Sequence, residues 1–235
     1  MERGVKEDVK TEDRECFEFF LNVCIIVFAG IGTVLMWKNT DSGAGLMASG
    51  FANLKYFTVL SNLFCGIVAI VRVFYFLIGR KFSILIKLMA ASATGLTFLI
   101  IAAFLQPLYP NLNLYEGGNL YFHLIVPLLA MAEFVCISTK EKIPFKYTWI
   151  SSLLALAYGI YYLGNILING IGVWPDSNDW YGFLNWGYPI GMLIFALIVL
   201  MDFGIACLLR YMNGLMRRLR FRIRGFMEAK NENNS

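Results

Sequence analysis

NWGYPIGMLIFALIVLMDFGIACLLRY, residues 185–211, carries one charged side chain, Asp202, before it reaches Arg210. A helix needs about 20 apolar residues to cross the hydrocarbon core of a bilayer, and this stretch supplies them. Five more blocks of the same kind precede it, at 17–37, 56–79, 82–106, 121–139 and 147–167. None alternates polar and apolar residues as a barrel strand does. The whole chain of 235 residues is 58% hydrophobic and only 15% charged, whereas soluble domains are about a quarter charged. The sequence therefore predicts an all-α integral membrane protein of six transmembrane helices.

Basic residues orient the bundle. Arg3, Lys6, Lys10 and Arg14 precede the first block, Arg80 and Lys81 separate the second from the third, and Lys140, Lys142 and Lys146 separate the fourth from the fifth. Arg210, Arg217, Arg218, Arg220, Arg222 and Arg224 follow the sixth, while the other three connections hold only Lys38 and Lys55. Positive residues stay on the cytoplasmic side, so both termini are expected there. The chain divides into a charged cytoplasmic arm (1–16) expected to be loosely ordered, a six-helix domain (17–211), and a basic tail (212–235). In the tail, basic residues alternate with Leu, Met, Phe and Ile, the pattern of an interfacial helix on anionic inner-leaflet lipids. Beside a transmembrane helix this reading displaces nucleic-acid binding.

The first block is longer than the apolar core of a signal peptide, so it is read as a retained span, and Ala48-Ser49-Gly50 lies too far beyond it to be its cleavage site. Cys16, Cys24, Cys65, Cys136 and Cys207 fall in or near the inner ends of spans, which suits packing better than disulfides or zinc. The connections expected outside carry Pro107, Tyr109, Pro110, Tyr115, Trp174, Pro175, Trp180 and Tyr181. Such residues belong to an aromatic belt at headgroup depth, or to a rim where lipids enter sideways.

Polar residues inside a span are costly and mark function by default. His123, the chain's single histidine, and Thr58 each lie about two residues into a span that begins at the outer face, hence at one depth. A threonine hydroxyl attacks only when a base removes its proton, and imidazole also returns a proton to the leaving alcohol. Ser61 and Asn62 stand one turn below Thr58, and Asn185 is at similar depth. These three are candidates to line the pocket or to donate to an oxyanion. Glu116, Asp176 or Asp179 could orient the imidazole. Pro127 and Pro189, four residues after His123 and Asn185, are expected to kink their helices. Deeper, Arg72, Glu133 and Asp202 are read as structural charges. Arg72 and Asp202 match best in depth, which would set spans two and six together or turn both to span four. One histidine with no carboxylate at its depth gives too few ligands for a metal, and no cofactor motif is present.

YFTVLSNLF (56–64), FHLIVPLLAMAEF (122–134) and WYGFLNWGYPIG (180–191) resemble successive blocks of the FAR-17a and androgen-induced-gene-1-like membrane proteins, in their bacterial branch. Animal members are six-span hydrolases of fatty acid esters of hydroxy fatty acids. The resemblance implies that Thr58 is the nucleophile, that His123 is its partner, and that the protein resides in a bacterial plasma membrane. The stretch from Thr58 to His123 is shorter than in the animal proteins, so their substrate choice need not carry over. The absence of a Gly-x-Ser-x-Gly elbow excludes an α/β-hydrolase. A transporter would need a polar pore or paired broken helices, and neither is legible. The expected function is intramembrane lipid-ester hydrolysis near the outer leaflet, the alternative being a non-catalytic lipid-binding or scaffold protein. The oligomeric state is not legible.

Overall fold

In hydrocarbon the backbone has only itself to bond with, and a helix satisfies it within one segment. The computed structural model describes residues 2–38, 50–108, 110–111, 113–136, 142–173 and 177–232, with side chains from Glu15 to Ile223. Ala48, Ser49, Tyr109, Lys140, Trp174, Pro175 and Asp176 lie outside these residues. Six helices are long and apolar enough to cross a membrane: α1 (Glu2–Lys38), α2 (Phe57–Leu77), α3 (Ile84–Leu108), α4 (Gly118–Cys136), α5 (Lys146–Asn169) and α6 (Tyr188–Glu232).

Two of them overrun their apolar blocks. The arm expected to be loosely ordered is helical from Glu2 onward, continuous with the first span. A formed span removes the nucleation cost, so each further residue adds a hydrogen bond at small entropic cost. The basic tail likewise continues α6 to Glu232, a helix of 45 residues, rather than starting a separate surface helix. At 1.5 Å per residue it measures roughly 65–70 Å, about twice the thickness of a hydrocarbon core.

α3 is the hub, in contact with α2, α4, α5 and α6, while α1 packs on α2 and α4, and α5 on α6. Small side chains allow these approaches. Ala90, Ala91 and Ala93 of α3 are each buried. At Gly159 of α5 an added Cβ would lie 1.5 Å from the Phe195 ring of α6, and at Gly32 of α1 it would lie 2.6 Å from the Phe122 ring of α4. Dispersion between closely packed surfaces, rather than water exclusion, holds helices together in lipid.

One end of the bundle is pinned by charge. The Arg72 Nε donates to Glu18 Oε1 at 2.8 Å, and the Lys87 ammonium donates to the same oxygen at 2.6 Å and to Glu133 Oε1. Asn22 donates to the Glu18 carbonyl at 2.7 Å and to Glu133 Oε1 at 3.3 Å. Two acids and two bases from four helices thus neutralise one another.

This corrects the expected pairing. Arg72 binds Glu18, not Asp202, because α2 packs on α1 and α1 is the wall Arg72 faces. α2 and α6 share no extensive contact, though each touches α4. Asp202 is fully buried with neither carboxylate oxygen hydrogen-bonded among the described residues, and Ser92 of α3 is the hydroxyl beside it.

Candidate active site

The opposite end is closed by aromatic rings. Tyr56, Phe122, Tyr162 and Trp180 are buried together, with the α5–α6 connection folded across the helix ends. Asp179 fastens that connection: it accepts from the Tyr162 hydroxyl and from the backbone N–H groups of Phe183 and Leu184, both at 2.9 Å. Tyr181 then reaches the start of α2, its hydroxyl accepting the Phe57 N–H at 2.9 Å. Burial pushes this phenol up to about 12, so it stays neutral at physiological pH. Tyr158 of α5 donates to the Lys55 carbonyl at 2.6 Å and accepts from the Trp180 indole at 3.1 Å.

Thr58 is the second residue of α2 and is half-buried. The first N–H groups of a helix have no partner within it. Here Phe57 is satisfied by Tyr181, and Val59 and Leu60 by the Tyr56 carbonyl. The Thr58 N–H and the Thr58 hydroxyl have no hydrogen-bond partner among the described residues. Its carbonyl accepts from Ser61 at 3.1 Å and from Asn62 at 2.8 Å.

His123 is buried at the matching end of α4. Pro127 has no N–H for the His123 carbonyl and crowds it. The helix answers with a widened π turn over Tyr121–Ile125, where the Val126 N–H bonds the Tyr121 carbonyl five residues back. The expected kink is therefore a π bulge centred on the histidine, a distortion often found at functional sites. α3 repeats it at Ile101–Leu105, just before Pro107.

The imidazole Nδ1 lies 2.6 Å from the Leu114 carbonyl. A carbonyl only accepts, so Nδ1 carries the proton and the neutral ring leaves its Nε2 lone pair available. Asp176 lies outside the described residues, and neither of the other two loop acids orients the ring: Glu116 accepts the Asn113 amide at 3.1 Å, and Asp179 is engaged as above. A backbone carbonyl has no sequence signature, which is why this partner was illegible.

Asn62 ties the two helices together, donating to the Thr58 carbonyl and, at 2.9 Å, to the Phe122 carbonyl. Thr58 and His123 thus stand on neighbouring helices joined one turn beyond Thr58, but no hydrogen bond joins their side chains among the described residues.

The structure corrects the expected oxyanion donors. Both hydrogens of the Asn62 amide are used, leaving only its acceptor Oδ1 unpartnered. Ser61 gives its one hydrogen to the Thr58 carbonyl at 3.1 Å, and its oxygen also bonds the Thr97 hydroxyl at 3.1 Å. Asn185 is exposed on the turn Phe183–Trp186, outside the span. α6 begins at Tyr188, so Pro189 sits in a first turn, where a missing N–H disrupts nothing. Sequence reasoning missed the Thr58 N–H, the one unpartnered donor in that turn among the described residues. No three His, Cys, Asp or Glu side chains gather at ligating distance among the described residues.

The chain matches no family model, no curated protein and no solved structure. What the site can do follows from its own atoms: a buried imidazole with its Nδ1 on a carbonyl, and on the neighbouring helix a hydroxyl and a backbone N–H of one residue that have no hydrogen-bond partner among the described residues.

Proposed function

We propose that the chain is an intramembrane lipid-ester hydrolase, of the kind its resemblance to the androgen-induced-gene-1-like proteins implies, with Thr58 as nucleophile and His123 as base. The observation that carries this reading is the 2.6 Å contact between His123 Nδ1 and the Leu114 carbonyl, which fixes the tautomer whose Nε2 can accept a proton. Nε2 takes the Thr58 hydroxyl proton as the oxygen attacks the ester carbonyl. The Thr58 N–H, at the positive end of the α2 dipole, receives the oxyanion. The imidazolium returns its proton to the leaving alcohol, and water, deprotonated by the same ring, releases the acyl group from threonine. The side chains must close up around substrate, as catalytic hydrogen bonds commonly do.

The aromatic end is assigned to the outer leaflet and the basic tail to the anionic inner leaflet, following the distribution of Lys and Arg, and the resemblance assigns the membrane as a bacterial plasma membrane. Fatty acid esters of hydroxy fatty acids are the first substrates to try.

The test is labelling of the detergent-solubilised protein by a fluorophosphonate probe, with hydrolysis of a lipid-ester panel measured alongside. Thr58→Ala is expected to lose labelling and hydrolysis outright, and His123→Ala to slow both by about 10²–10⁴-fold, with both variants eluting as folded protein. A second reading, non-catalytic lipid binding, is favoured by the missing Thr58–His123 hydrogen bond. Wild-type protein that is folded, unlabelled and inactive across the panel would establish it instead.

A further inference from the structure

α2 and α5 both pack on α3 but share no extensive contact with each other, and a cleft of about 290 Å³ lies between them. Phe57, Leu60 and Phe64 of α2 form one wall, Leu154, Ala157 and Tyr161 of α5 the other, and Ala93 of α3 the floor. The Phe57 and Tyr158 rings meet at 5.1 Å and roof it at the aromatic end. The opening therefore faces sideways, where the surrounding medium is acyl chain.

The lining identifies the occupant. Ser61 supplies the hydroxyl on the α2 wall, and its hydrogen is already given to the Thr58 carbonyl, with Thr97 bonded to the same oxygen. Tyr158 gives its own hydrogen to the Lys55 carbonyl. The interior thus offers no spare donor to a headgroup or carbonyl, which would be left unpaired there at considerable cost. An apolar chain suffers no such loss. At the mouth stands Tyr161, 52% exposed, whose hydroxyl has no hydrogen-bond partner among the described residues.

We propose that this cleft binds one acyl chain of the lipid, admitted sideways from the bilayer, with the polar end of the chain held at the Tyr161 hydroxyl. Phe57, on the cleft wall, adjoins Thr58, and Ser61 bonds the Thr58 carbonyl, so a seated chain brings its head within a turn of the nucleophile. Naming the chain as part of the ester substrate rests on the hydrolase reading, but chain binding is measured without turnover.

The experiment is photocrosslinking of the full-length protein in nanodiscs with a diazirine-bearing fatty acid, followed by peptide mapping. Label is expected on residues 57–64 and 154–161. Ala157→Trp and, as a second blocking variant, Leu154→Trp are expected to lose that label, whereas Leu197→Trp, on the exposed face of α6, keeps it. Tyr161→Phe is expected to weaken capture of the free acid. Thr58→Ala is expected to keep the label while losing hydrolysis. If Thr58→Ala still hydrolyses ester, the catalytic reading fails and the cleft assignment stands. Label spread evenly over lipid-facing helices, label unchanged in both folded blocking variants, or a cleft covered by a second copy of the chain overturns the assignment.

Discussion

Replacing Lys87 by methionine tests whether charge pairing holds α1, α3 and α4 together. The side chain is 6% exposed, and its ammonium bridges Glu18 and Glu133. Methionine fills much of the same volume, so the loss is electrostatic rather than steric. Glu18 keeps Arg72 at 2.8 Å, but the Glu133 carboxylate is left facing the Asn22 amide at 3.3 Å with its cation gone. Removing one partner of a buried pair costs about 3–5 kcal/mol, because the stranded charge remains.

Lys87→Met combined with Glu133→Gln removes one charge of each sign and is expected to recover most of the loss, as balanced removal of buried pairs is often near neutral. Reversible unfolding of both variants and of Glu133→Gln alone, in mild detergent, completes a double-mutant cycle. A single Lys87→Met variant within about 0.5 kcal/mol of wild type, or strictly additive effects, would refute the argument.

Three further outcomes are expected. Gly32→Leu drives a side chain into the Phe122 ring, which an added Cβ already meets at 2.6 Å. It should displace the Phe122 carbonyl from Asn62 and abolish probe labelling at Thr58 while the protein still elutes folded, and normal labelling would contradict it. Tyr181→Phe removes the acceptor for the Phe57 N–H at 2.9 Å. A loss of about 0.5–2 kcal/mol is expected by analogy with helix caps, with faster hydrogen exchange confined to the first turn of α2, and unchanged exchange there counts against the contact. Asp202→Asn replaces a buried carboxylate that has no hydrogen bond among the described residues by a neutral group of the same shape. Its thermal stability should equal or exceed wild type, and a clear decrease would reveal a partner for the charge.

Long apolar blocks determined the six helices by themselves, because hydrocarbon leaves a backbone no alternative and each span answers to its own composition. For the same reason the places of Thr58 and His123 near the starts of α2 and α4, and the local distortion before Pro127, were readable along one strand of sequence. Where the helices ended was not. The arm and tail extend α1 and α6 because cooperativity carries a helix past its apolar stretch, which composition does not record.

Only the packing decided who meets whom. Arg72 and Asp202 match in depth but face different neighbours, while Glu18 and Lys87, near the ends of their spans, turn inward to complete the charge cluster. Depth is one coordinate, and azimuth and helix order come from the fit of small residues such as Gly32 and Gly159 against Phe122 and Phe195. Two groups beside the candidate catalytic pair, the Leu114 carbonyl and the Thr58 N–H, belong to the backbone, which every residue shares. Side-chain identity places a chemistry in the chain, and tertiary contact alone shows which backbone atoms are spent and which remain free.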